Sequence, residues 1–106
     1  MVKILFVYSD GNNEDLNGDI KNCINELGVG RPQIQFCGVD INSETHVGLD
    51  LIKWADVIFT FEKTTRDELL RQFPQAVMKD LRFLDVLEED LSHRGLLMNI
   101  LKRNLC

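Results

Sequence analysis

Lys3-Ile4-Leu5-Phe6-Val7-Tyr8, followed at once by Ser9-Asp10-Gly11-Asn12-Asn13, is the stretch that decides the fold. A continuous apolar run of this length, rich in branched and aromatic residues, is the pattern of a strand covered on both faces. The residues after Tyr8 are turn formers, whose side chains bond their own backbone or tolerate unusual dihedrals. Beyond them the period changes: Leu16, Ile20, Cys23, Ile24 and Leu27 fall on one stripe of a helix. Gly28 and Gly30 suit its C-terminal stop, and Pro32 discourages continuation. A buried strand feeding a helix through a short loop opens a parallel sheet joined by right-handed crossovers.

The rest of the chain repeats the alternation. Gln33 to Val39 (QIQFCGV) has period two and reads as a second strand nearer an edge. Thr45 is the expected N-cap of a short helix carrying Leu49, Ile52 and Lys53, and Val57 to Phe61 is a third buried strand. Thr65 and Glu68 have the spacing of a capping box, opening a helix with Leu69, Leu70 and Phe73 on its apolar face and Pro74 after its end. Leu81 to Val86 reads as a fourth strand. Glu88, Glu89 and Asp90 open a last helix that Lys102 and Arg103 close, acids and bases each at the favoured end of the helix dipole. The expected fold is α/β, a three-layer sandwich around a four-stranded parallel sheet, as one domain over residues 1–106.

Composition narrows the function. The 106 residues carry a net charge of −5, the wrong sign for a protein that holds a phosphate backbone by displacing its counterions, so no nucleic-acid partner is expected. No apolar run approaches the ~20 residues of a membrane span. The apolar start, Met1 to Val7, is too short for a secretory signal and has no small-residue cleavage site. Cys23, Cys37 and Cys106 are an odd set without CxxC spacing, which argues against a zinc site or a disulfide framework. A cytoplasmic location with free thiols and no membrane contact is the expectation.

In such a sheet, ligands bind beyond the carboxyl ends of the strands, so the first loop is the place to look. Ser9, Gly11, Asn12 and Asn13 are small or turn-prone, but Asp10, Glu14 and Asp15 are acidic, Asp19 follows one turn on, and no Lys or Arg lies between Lys3 and Lys21. Two like charges ~5 Å apart repel by about 3 kcal/mol at an effective dielectric near 20. This is a poor cradle for a phosphate dianion. A calcium loop fails as well, with Asp15 where glycine is required and Lys21 where the closing Glu belongs. Asp56 precedes its strand, so a receiver-type acidic pocket is not formed either. The acids are expected to be a solvated helix N-terminus, with no metal and no cofactor.

The order of these segments resembles the low-molecular-weight protein tyrosine phosphatase family, in particular its short branch of about 105 residues. Lys3-Ile4-Leu5-Phe6-Val7-Tyr8-Ser9 is similar to that family's opening K-[IL]-L-F-V-C-S. Leu49 to Lys63 (LDLIKWADVIFTFEK) is similar to its L-x-x-W-A-D-x-I-F-V-M-E-K, and Leu69 to Phe73 with Arg82 to Val86 (RFLDV) continue the match. The resemblance implies a thiolate nucleophile, an Arg that with loop amides holds the phosphoryl oxygens, and a general-acid Asp after the fourth strand. This chain departs at each place: Tyr8 stands at the cysteine, Glu14 at the arginine, and Val86-Leu87-Glu88 at the Ile-Pro-Asp stretch, leaving Glu88 as a vestigial acid. A tyrosine with pKa near 10 is a weak nucleophile at neutral pH.

The expectation is a phosphatase-like protein without catalysis, a binding or regulatory module engaging another protein or a second copy of itself. The alternative is a phosphatase, or a metal-assisted phosphoester hydrolase, built on the acidic loop. The binding residues expected of the degenerate loop are Tyr8, Ser9, Asp10, Gly11, Asn12, Asn13, Glu14 and Asp15, with Tyr8 read as an aromatic plug in a vestigial pocket. Cys23 is expected in the core, His46 and His93 on the surface, and Trp54 where the short helix meets the third strand. Thr64, Thr65 and Arg66 are read as capping residues and a surface charge, with a pocket rim as their other reading.

Overall fold

The computed structural model describes residues 2–9, 14–28, 30–41, 43 and 45–105. Asp10, Gly11, Asn12 and Asn13 of the expected loop site, and Cys106, lie outside the described residues. Four strands, β1 (Lys3–Tyr8), β2 (Gln33–Gly38), β3 (Val57–Thr60) and β4 (Asp80–Phe83), form one parallel sheet in the order β2-β1-β3-β4. Helices α1 (Glu14–Leu27), α2 (Leu49–Trp54), α3 (Lys63–Gln72) and α4 (Arg94–Leu105) cover it. The α/β sandwich expected from the alternating pattern is the fold observed.

The pleat of β1 sorts the core into two layers. Ile4, Phe6 and Tyr8 face α1 and α4, joining Leu16, Ile20, Cys23, Ile24, Leu97 and Leu101. Leu5 and Val7 face the other way, with Cys37, Ile52, Ile58 and Leu69. All of β1 beyond Lys3 is buried, as its unbroken apolar run requires. Trp54 lies half-buried against this second layer at the end of α2. Two residues later, the Asp56 carboxylate accepts the Lys3 N–H at 2.9 Å, and the Asp56 N–H donates to the Lys3 carbonyl at 2.8 Å. This reciprocal pair sets the register of β3 against β1. Asp56 therefore belongs to the amino end of the sheet, away from the ligand-binding end.

Several boundaries differ from the sequence pattern, each for a local reason. Thr45 does not cap α2; Gly48 holds that position without a side-chain bond, while the Thr45 carbonyl instead accepts the Gly38 N–H at 2.9 Å. Thr65 does not open α3 either. The helix begins at Lys63 with Glu62 as its cap, because the chain leaves the sheet directly after Phe61, so Thr65 is an interior, buried residue. The pairing of β4 ends at Phe83, short of Val86, although the Leu84 and Val86 N–H groups still bond the Thr60 and Phe61 carbonyls. Asp85 turns the chain there, in the left-handed region at φ 53°, which Asp tolerates better than most residues. Glu88, Glu89 and Asp90 open a 3₁₀ turn, Glu88–Ser92, which drops Leu91 into the core before α4 starts at Arg94. Pro74 likewise starts a 3₁₀ turn, Pro74–Met78.

Candidate functional site

The chain goes from β1 to β2 on one side, then crosses to β3 on the other. The carboxyl ends of β1 and β3 therefore flank the switch point, where an open α/β sheet leaves a crevice. Tyr8, the last residue of β1, is fully buried and points away from this crevice into the layer under α1 and α4. Its ring stacks between Phe36 at 6.0 Å and Phe61 at 5.4 Å, continuing a ladder in which Phe6 lies against Phe36, Phe59 and Phe61. Offset stacks of this kind contribute about 0.5–1.5 kcal/mol each beyond the area they bury. Among the described residues, the Tyr8 hydroxyl has no hydrogen-bond partner. Burial raises its pKa well above the ordinary phenol value, and the nearby Glu88 carboxylate and Cys37 push the same way. The group is thus a neutral phenol at any physiological pH.

Ser9 is where the expected loop and the expected acid meet. Its N–H donates to Glu88 Oε2 at 3.2 Å, and the Glu88 N–H donates in turn to Glu62 Oε2 at 2.8 Å. One carboxylate after β3 thus caps the 3₁₀ turn after β4, whose own carboxylate takes the first amide after β1. The Ser9 carbonyl accepts the Asp40 N–H at 2.9 Å, so the start of the loop is tied on both sides. Asp15, Asp19, Glu88 and Glu89 line a small cleft of about 260 Å³ between α1 and this turn, while Glu14 is exposed outside it. The fold therefore adds Glu88 and Glu89 to the acids that are close in sequence. Among the described residues, no three His, Cys, Asp or Glu side chains converge as a metal site.

Neither thiol among the described residues offers a nucleophile. Burial pushes Cys37, at the end of β2, up to about 12, and raises Cys23 under α1 as well. A thiol that stays protonated neither attacks phosphorus nor binds a metal.

A second, larger crevice of about 580 Å³ opens on the α3 side of the switch point. Ser9 and Asp40 form one wall; Thr65, Glu68, Arg71 and Gln72 form the other. A run of bonds fixes the α3 wall. Arg71 bonds both oxygens of Glu68, with Nε at 2.8 Å from Oε2. Gln72 Nε2 donates at 2.9 Å to both Glu68 Oε1 and the Val39 carbonyl, tying the helix to the end of β2. These bonds, Arg71 first and Gln72 second, lower the Glu68 carboxyl to about 2. Thr65 is buried, and its hydroxyl has no partner among the described residues. A helical threonine can bond the carbonyl one turn back, a bond that Thr65 does not make. Thr64 and Thr65 are thus residues of a pocket wall and not caps. Thr65–Glu68 has the spacing of a capping box wherever it falls, so only the point at which β3 ends could reveal its other use.

No protein-family model matches the sequence, and no curated protein matches it. Among the described residues, no helix is long and apolar enough to cross a membrane. Solved structures do match the fold. A mutant of YwlE from Bacillus subtilis superposes with a TM-score of 0.72 at 12% identity, over 99% of this chain and 97% of that one. A low-molecular-weight protein tyrosine phosphatase from Bacillus subtilis gives 0.71 at 12% identity, over 97% and 94%. The YwlE arginine phosphatase from Geobacillus stearothermophilus gives 0.68 at 14% identity, over 99% and 91%. At such identities the likeness is one of architecture, and it is complete in extent: the four-stranded parallel sheet with its helices matches the low-molecular-weight protein tyrosine phosphatase structures.

Proposed function

We propose that this chain is a member of the low-molecular-weight protein tyrosine phosphatase family that has lost cysteine-dependent catalysis, and that it acts in the cytoplasm as a single-domain binding or regulatory module for another protein or a second copy of itself. The burial of Tyr8 carries the reading. At the position where the resemblance sets a thiolate, this chain has an aromatic side chain turned into the core, its hydroxyl neutral and without access to solvent. The surrounding charge supports it. Glu14 stands where the resemblance sets an arginine, and Glu88 lays a carboxylate on the Ser9 amide, one of the donors a phosphate would use. The activity named for the arginine phosphatase depends on its own active-site residues, and fold alone does not transfer it.

The test is hydrolysis of an aryl phosphate by the pure protein. The expected result is no turnover above buffer. Turnover that disappears in Tyr8→Phe would overturn the proposal, since it would make the phenol the nucleophile.

The second reading, metal-assisted phosphoester hydrolysis, draws on the acidic cleft of Asp15, Asp19, Glu88 and Glu89. Turnover that requires added Mg²⁺ and is lost in Asp15→Asn would establish it.

A further inference from the structure

The sheet has two edges, and they are built differently. At the β4 edge, Asp80 and Arg82 put charge on the strand and pair with each other at 3.0 Å. Charges of this kind keep other chains from adding to an edge. The β2 edge, Gln33–Gly38, carries no charged residue. We infer that it is a docking site for an extended, acidic peptide segment of a partner protein, which adds to the sheet as a fifth strand. This names the class of partner for the binding module proposed above, and it rests on that reading.

The backbone is open on that side. The Gln33 and Val39 N–H groups donate to the Val2 and Tyr8 carbonyls, so the odd-numbered residues of β2 turn their amides toward β1 and the even-numbered ones turn theirs outward. At Gly38 the chain supplies its own outer partner: the Gly38 N–H donates to the Thr45 carbonyl, and the Gly38 carbonyl accepts the Val47 N–H, both at 2.9 Å. Nothing among the described residues does the same for Ile34 and Phe36, whose outward N–H and C=O groups are left unpaired. An edge of this form is a template for strand addition, in which main-chain bonds hold the peptide and alternate side chains select it.

Charge decides the partner. On the α1 face of this edge lies a groove of about 400 Å³, lined by Lys21 and Asn25 of α1 together with Arg31, Pro32 and Ile34. None of its described lining residues is acidic, in a chain of net charge −5. Lys21 stands 5.6 Å over the Phe36 ring, and neither Lys21 nor Arg31 has a carboxylate partner among the described residues. Acids of α1 are engaged elsewhere: Asp15 and Asp19 line the cleft beside the Glu88–Ser92 turn, and Glu26 bonds Arg94. Ile34 and Phe36 pack on the α1 side of the sheet, and residues opposite them in an antiparallel strand send their side chains to that same face. Carboxylates at those alternate positions meet Lys21 and Arg31. A second copy joined edge to edge about a two-fold axis brings its own Lys21 and Arg31 to the junction instead, like against like.

The experiment is an amide-resolved NMR titration of the whole chain with the synthetic peptide acetyl-Glu-Val-Glu-Val-Glu-amide, with its counterpart carrying Lys for Glu, and with the acidic peptide N-methylated at its Glu amides. With the acidic peptide, saturable shifts and slowed hydrogen exchange are expected at the Ile34 and Phe36 amides. Neither the basic nor the N-methylated peptide is expected to saturate. Lys21→Glu combined with Arg31→Glu, both at exposed positions, is expected to weaken binding about tenfold or more while amide signals away from the groove stay in place. The inference is overturned by no saturable shift with the acidic peptide, by equal binding of the basic or the N-methylated peptide, or by the charge-reversed protein binding like the parent. It is overturned as well by protection of Ile34 and Phe36 that grows with protein concentration alone, which assigns the edge to a second copy. Turnover of an aryl phosphate would sink the loss of catalysis and leave these readouts unchanged, whereas absence of peptide binding leaves the loss of catalysis standing.

Discussion

Of the buried hydroxyls without partners among the described residues, those of Tyr8 and Thr65 have completely different surroundings. Tyr8 is sealed between Phe36 and Phe61 beneath α1 and α4, with the Glu88 carboxylate and Cys37 nearby. Thr65, on α3, lines an open crevice whose other walls are part polar and part apolar. An orphaned polar group in a closed aromatic stack is a tolerated cost of filling space. The Thr65 oxygen is buried as well, but the wall that holds it borders a crevice. The contrast teaches that an unpaired atom acquires meaning from what can reach it.

The comparison breaks or holds first at Tyr8. If the ring serves to fill the core, Tyr8→Ala will cost ~3–5 kcal/mol of stability, the usual loss for a large aromatic left as a cavity, read as a fall in the denaturation midpoint. A loss below about 1 kcal/mol would mean that the ladder is not what holds this end of the sheet.

Alkaline pH probes the same burial from the charge side. The folded-state pKa of Cys37 is raised, from 9.0 to about 12, and that of Tyr8 is raised in the same direction. Each group contributes stability that is fully present below its unfolded pKa and is lost as pH rises through its folded one. Denaturant midpoints should therefore be flat up to about pH 9 and fall steadily toward 12. Cys37→Ala should make that fall shallower, and an unchanged slope would show that the thiol is not shielded.

The two hydroxyl deletions sharpen the comparison further. Tyr8→Phe and Thr65→Val each remove an orphan, so each should be neutral or stabilising by up to ~1 kcal/mol. A marked loss of stability in Tyr8→Phe would reveal a bond to its hydroxyl.

The smallest effect is at Glu68, on the exposed rim of the crevice. Its folded pKa is depressed to about 2, so its pairing with Arg71 is intact above the ordinary Glu range and is lost as pH falls toward that value. Carboxyl-detected NMR should find its midpoint near 2, and Arg71→Met should move it back up. Because the pair is exposed, global stability should hardly change.

Where the chain carries unbroken apolar runs, its fold was open to reading. β1 and β3 are buried on both faces and could be nothing but central strands, and the stripe from Leu16 to Leu27 matches α1. Helix entries were harder to read. Thr45 and Thr65 both have the chemistry of a cap, but capping depends on where the preceding strand releases the chain, and long-range pairing sets that point. The acids at Glu88 to Asp90 signal a helical start equally well for a 3₁₀ turn and for α4. In the candidate site, the negative sign of the first loop was legible from Glu14 and Asp15. The bond from Ser9 to Glu88 was not, since 79 residues separate them.

The sequence by itself determined the layered α/β architecture, because burial on two faces and helical periodicity are written in the order of apolar residues. It also determined the absence of a cysteine at the end of β1. Only the tertiary structure decided which way Tyr8 faces, that Glu88 lies on the Ser9 amide, and that Thr65 and Gln72 share a wall. Those relations depend on pleat, register and crossover, which bring together residues that no local pattern connects.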